Sequence, residues 1–220
     1  MLVLILVMAL LGLAVGFVLD VACNRVPVVG LRYPVVELVT AVLFVALALR
    51  LSGAHLLVAL PAYLYFVAVG VALTLIDLGC RRLPNVLVLL SYPIMLALLG
   101  GASAWQHDGA ALARALIGMG ALLALYLVLA LIHPAGMGFG DVKLAGVLGA
   151  ALGYLSYMAL VIGAFAGFFL GAVLGLALIL SRGSRKSAIP FGPFMIAGAL
   201  LAVFAAEPLG RGYLRLVTRT

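Results

Sequence analysis

Acidic residues are scarce in this chain: among 220 residues there are six, Asp20, Glu37, Asp77, Asp108, Asp141 and Glu207, against thirteen lysines and arginines. Charged residues of either sign make up only 9% of it, too few to cover the surface of a water-soluble domain of this size. Two cysteines, Cys23 and Cys80, exclude both a disulfide framework and a four-cysteine metal site. The N-terminus lacks a basic stretch before its first apolar run, which reads as a retained span rather than a cleaved signal. What fills the chain is apolar: 68% of residues are hydrophobic and the mean hydropathy is +1.40. That composition belongs to an all-α integral membrane protein. The formal net charge of +7 therefore implies no nucleic-acid partner, because basic residues at span ends set orientation instead.

A span needs about 20 apolar residues to cross about 30 Å of hydrocarbon. Eight stretches qualify or nearly so: residues 2–22, 35–51, 56–78, 86–99, 110–132, 142–154, 158–180 and 189–206. With short connections, they predict a single polytopic membrane domain over 1–220. Pro84 suits the first turn of the fourth helix, where a missing N–H costs nothing, and Pro93 should kink that helix from inside. Counting spans, Arg25, Arg32, Arg81, Arg82, Lys143, Arg182, Arg185 and Lys186 fall on one side. Arg50, Arg114, Arg211, Arg215 and Arg219 fall on the other. The excess marks the first side as cytoplasmic, with both termini outside.

Span parity also sorts the acids. Asp77 ends the third span and Asp141 begins the sixth, with two complete spans between them, so both belong to one face. Asp20, Glu37 and the Arg182–Ser187 loop share that face, whereas Asp108 and Glu207 lie opposite. Asp141 closes a glycine-dense break, Gly136-Met137-Gly138-Phe139-Gly140-Asp141-Val142-Lys143, set between apolar runs. Ionisable residues beside hydrocarbon are costly and point to function. Two chemistries stay open on these residues alone. Asp77 and Asp141 can form a carboxylate dyad in which one member ionises and the other stays protonated, the pair that peptide hydrolysis requires. Equally, Asp77 can top a helix in the headgroup region while Asp141 caps the sixth helix.

The wider pattern narrows the choice. Asp77-Leu78-Gly79-Cys80-Arg81-Arg82-Leu83-Pro84-Asn85 followed by Gly138-Phe139-Gly140-Asp141-Val142-Lys143 resembles the prepilin peptidases, intramembrane aspartyl proteases with a GxGD motif. Gly16–Asp20 through Arg25-Val26-Pro27, Arg32–Leu38, and Ile189-Pro190-Phe191-Gly192-Pro193-Phe194 are similar to further signatures of that family, in the same order. The resemblance implies an eight-span GxGD bundle with Asp77 and Asp141 as the catalytic pair. Gly138, Gly140, Lys143, Glu37, Pro190 and Gly192 would bind substrate or shape the site. The implied partner is a prepilin or pseudopilin precursor with a short basic leader ahead of an apolar helix. It would be cut behind the leader at the inner face of a prokaryotic cytoplasmic membrane. Proteolysis of this kind needs no metal and no cofactor.

Departures from the family pattern bear on a second activity. Many members carry paired CxxC motifs between the first two spans, but here that loop is Cys23–Pro34 with one cysteine, so no such zinc site can form. Many also methylate the freed amine with S-adenosylmethionine. Asp20 where Asn is usual and Ala41 where Gly is frequent leave that activity open, and S-adenosylmethionine is a cofactor only if it is present. Gly163, Gly167, Gly171 and Gly175 form a small-residue stripe on the seventh span, suited to packing within the chain or to a homodimer contact. His133 reads as an interfacial polar residue, and Arg182–Lys186 as an anchor to anionic lipid. Two other classes remain in view: a carboxylate-lined transporter, which would place its acids near the midplane, and a non-catalytic pilus-assembly scaffold.

Overall fold

The structure, a computed structural model, describes residues 1–23, 34–53, 56–133, 137–182 and 190–217, with side chains placed for all of these except 178–182 and 207–217. Along the chain run α1 (Leu2–Cys23), α2 (Val35–Gly53), a 3₁₀ turn (Leu57–Ala59), α3 (Leu60–Cys80), α4 (Asn85–Gln106), α5 (Gly109–Ile132), α6 (Phe139–Leu155), α7 (Tyr157–Arg182) and α8 (Gly192–Val217). No strand occurs among the described residues. Among the described residues six segments are long and apolar enough to cross a membrane: α1, α2, the 3₁₀ turn with α3, α4, α5, and α7 over Tyr157–Ala177. The chain is an all-α, multi-pass membrane protein. α6 is shorter at 17 residues, roughly 25 Å at 1.5 Å per residue.

Several helix ends differ from the sequence expectation. α4 continues past Leu99 to Gln106, and α6 starts at Phe139 rather than Val142. Pro84 is the residue before the first turn of α4, not inside it; its carbonyl accepts from the N–H groups of Leu87 (3.1 Å) and Val88 (3.2 Å). Pro93 lies inside α4, which runs on past it. Most of the Arg182–Ser187 loop, together with Arg25 and Arg32, falls outside the described residues.

The chain divides into two compact units, Met1–Asp108 and Gly109–Thr220. Within the first, α1 lies on α2 along a glycine seam. A Cβ at Gly12 would sit 2.5 Å from the Cα of Ala41, and one at Gly16 would sit 2.5 Å from the Cα of Glu37. In lipid, where apolar surface gains little by leaving its solvent, such close backbone approach is what holds helices together. α3 is bound to α4 by a hydroxyl pair. Ser91 Oγ donates to Leu87 O (2.7 Å), which leaves Tyr65 Oη as donor to Ser91 Oγ at 3.0 Å.

In the second unit α6 is the central helix, buried at Asp141, Val142 and every position from Leu144 to Tyr154. Its partner α5 meets it glycine to glycine. A side chain at Gly149 would run into the backbone of Gly118 and Met119, and one at Gly153 would come within 2.5 Å of Arg114 O. Arg114 Nη2 donates to Tyr154 O at 3.4 Å, placing a cation at the carbonyl end of α6, where the helix dipole favours it. α7 and α8 pack in the same way, with Gly198 against the backbone of Gly167. Gly163 faces Ala199 and Ala202 of α8, and Gly171 makes room for Phe191. These members of the small-residue stripe are thus used inside the chain.

Candidate active site

Each unit carries one of the two aspartates singled out by the sequence, and each is built locally. In the first unit Asp77 lies in the last turn of α3 and is 5% exposed. Its carbonyl accepts the N–H of Arg81 at 2.8 Å, and Arg81 turns the chain out of the helix in a left-handed conformation, φ 50°. That conformation favours glycine, and an arginine there stores strain directly behind the acid. The start of α2 reaches the same end of this unit. Val36 is buried in one cluster with Leu75 and Cys23, against which Ile76 and Leu19 also pack. Glu37, next to Val36, is 3% exposed, and neither of its carboxylate oxygens has a hydrogen-bond partner among the described residues.

In the second unit the glycine break has a plain geometric purpose. Gly138, with extended backbone at φ −76° and ψ 146°, is the N-cap of α6, and Asp141 stands three residues in. The Asp141 carboxylate accepts the Gly138 N–H at 3.2 Å while its own N–H returns to Gly138 O at 3.0 Å. Asp141 therefore closes a capping ring at the third helical position instead of occupying the cap itself. A Cβ on Gly138 would sit 3.3 Å from Asp141 Oδ2, so the glycine leaves that oxygen its room. Asp141 is 9% exposed and stands in the first turn of α6, at the N-terminal end of the helix. Lys143 follows half-buried on α6, and Gly140 is half-buried in its first turn.

Pro190 and Gly192 flank Phe191, which is locked in an aromatic trio. Its ring centroid lies 5.5 Å from Phe168 and 6.3 Å from Tyr126, and those two stack at 5.1 Å. Tyr126, on α5, is buried. Sequence reading did not single out Tyr126 or Phe168, since nothing local distinguishes them from lipid-facing aromatics.

A profile of the type IV leader peptidase family matches residues 64–180, more than half of the chain and inclusive of both aspartates. The chain belongs to that family. Among known relatives, the prepilin leader peptidase/N-methyltransferase of Aeromonas hydrophila is 39% identical over 190 residues, covering 84% of this chain and 62% of the relative. The protein of the same name from Bacillus subtilis is 28% identical over 191 residues, covering 86% and 72%. That from Pseudomonas aeruginosa is 32% identical over 195 residues, covering 85% and 63%. The chain thus spans less than two thirds of the length of the Aeromonas and Pseudomonas members. No solved structure matches it.

Proposed function

We propose that this member of the type IV leader peptidase family is an intramembrane aspartic endopeptidase. Its substrate would be the precursor of a type IV pilin or pseudopilin, cut behind a short basic leader at the cytoplasmic face of a prokaryotic membrane. The observation that carries this reading is the burial of Asp77 and Asp141, each near the end of an apolar helix and each within the family match. Span parity supports a common face, because α4 and α5 intervene between the end of α3 and the start of α6.

The proposed chemistry requires two poorly solvated carboxyl groups of which one is ionised and the other protonated. The ionised one removes a proton from a water molecule whose oxygen attacks the scissile carbonyl carbon. The neutral one donates its proton to the carbonyl oxygen. As the tetrahedral species collapses, the amine of the mature pilin leaves with the proton held by the carboxyl group that took it from water, and one hydroxyl proton of the tetrahedral carbon returns to the carboxylate that had donated. Gly138 and Gly140 leave space for an extended substrate backbone, and the apolar part of the substrate stays in lipid.

Co-expression with a prepilin-like precursor tests the reading. Mass spectrometry of the recovered pilin is expected to show a new N-terminus behind the leader, and an intact precursor in quantity would overturn it. The same spectrum reports any methyl group on the freed amine. Gly138→Ala makes a finer prediction. Its Cβ would press on Asp141 Oδ2, so cleavage should slow by about tenfold, given that displacements of about 1 Å can cost about a hundredfold. Thermal stability should fall by only about 1 kcal/mol, the difference between glycine and alanine at an N-cap. Single-turnover cleavage and a melting curve in detergent measure the two effects separately.

A further inference from the structure

Glu37 is the buried acid that the two-aspartate chemistry leaves unused. It is 3% exposed, and both oxygens lack a hydrogen-bond partner among the described residues. Nor does it reach back to cap its own helix, as a third-position glutamate commonly does. An ionised carboxylate left so is unfavourable, and evolution rarely tolerates one without a use. Its place is specific. Gly16 lets the backbone of α1 come down on the Cα of Glu37, and Val36 shares a cluster with Leu75 while Ile76 packs against it. The start of α2 with Glu37 and the end of α3 with Asp77 thus occupy the same end of this unit.

A carboxylate so placed selects one kind of ligand, a cation that donates hydrogen bonds. The rest of the chain does the opposite, since a formal net charge of +7 repels cations at long range. Recognition of a cationic group must therefore come from a local acid, and in a desolvated setting such a pair is both strong and selective. Resting on the peptidase reading, we infer that Glu37 is a substrate-specificity residue that receives one ammonium or guanidinium group from the leader segment beside the scissile bond.

Two leaders, one carrying lysine and one with glutamine in its place, test this in cleavage and in binding. Wild-type protein is expected to show a KM about tenfold lower for the lysine leader, with kcat unchanged. Glu37→Gln, nearly the same shape and so compatible with the Gly16 seam, should abolish that preference by raising KM for the lysine leader alone. Glu37→Asp should keep part of it. Binding is followed independently by the rise in melting temperature that each leader peptide gives to the Asp77→Asn protein, with and without Glu37→Gln. Equal cleavage of both leaders by the wild type, or a preference that survives Glu37→Gln, overturns the inference while leaving the peptidase intact. Charge-dependent binding without cleavage of either leader supports the inference and overturns the peptidase. A Glu37→Gln protein that melts lower than the wild type, with no further loss on adding Arg32→Gln, shows an internal ion pair and overturns it. Absence of both cleavage and charge-dependent binding does so too.

Discussion

Asp77→Asn and Asp141→Asn are each expected to leave an inserted, abundant protein that no longer releases a leader. Asparagine keeps the size of the side chain but can neither take a proton from water nor share one with a partner carboxylate. General acid and base contributions are typically about 10²- to 10⁴-fold each, so a loss of at least about 10³-fold is expected. On the proposed mechanism the double variant should be no worse than either single one, as for any two groups that act as a unit. Quantitative immunoblots of precursor and mature pilin beside the protease level measure this. Normal pilus assembly without proteolysis by either variant would favour a scaffold. Ion flux into liposomes that disappears with the same substitutions would favour a transporter.

The second large effect is structural. Gly149→Val should separate α5 from α6, because even a Cβ at this position collides with the backbone of Gly118. Backbone cannot step aside as a flexible side chain can, so the cost should reach or exceed the roughly 1–3 kcal/mol usual for overpacked sites. Activity should fall with stability, since α6 carries Asp141. Gly120→Ala is the matched control on α5, with nothing within 4 Å of its added Cβ. It should be neutral or slightly stabilising, by up to about 1 kcal/mol, as glycine is the poorer helix former. Melting curves in detergent and size-exclusion profiles distinguish the pair.

Much of this architecture can be read directly from residues. Apolar runs of span length locate the helices because hydrocarbon forces every backbone group into helical pairing. Asp77 and Asp141 stand out because acids are so rare here. The small-residue stripe of Gly163, Gly167 and Gly171 announces a close helix contact, and the structure shows α8 as the element that it meets, with Leu152 of α6 also at Gly163. Other features depend on contacts that leave no local trace. Glu37 follows Arg25 and Arg32 in sequence and can pass for half of an interfacial ion pair as readily as for the site residue that the resemblance implies; its burial without a hydrogen-bond partner among the described residues sets it apart. Tyr126, Phe168 and Phe191 come from three separate segments and look like any other membrane aromatics until their rings are seen to meet. Arg81 adopts a left-handed turn normally announced by glycine, while the nearest glycine, Gly79, remains helical.

The way Asp141 is fastened has a mechanical corollary. Its carboxylate grips the N–H of Gly138, the N-cap of its own helix, and that helix is wedged by glycine contacts against α5 and tied at its far end through Arg114. The acid has no slack of its own. Any stroke that delivers it to a peptide bond must be made by α5 and α6 travelling together, like a key that turns only with its bow.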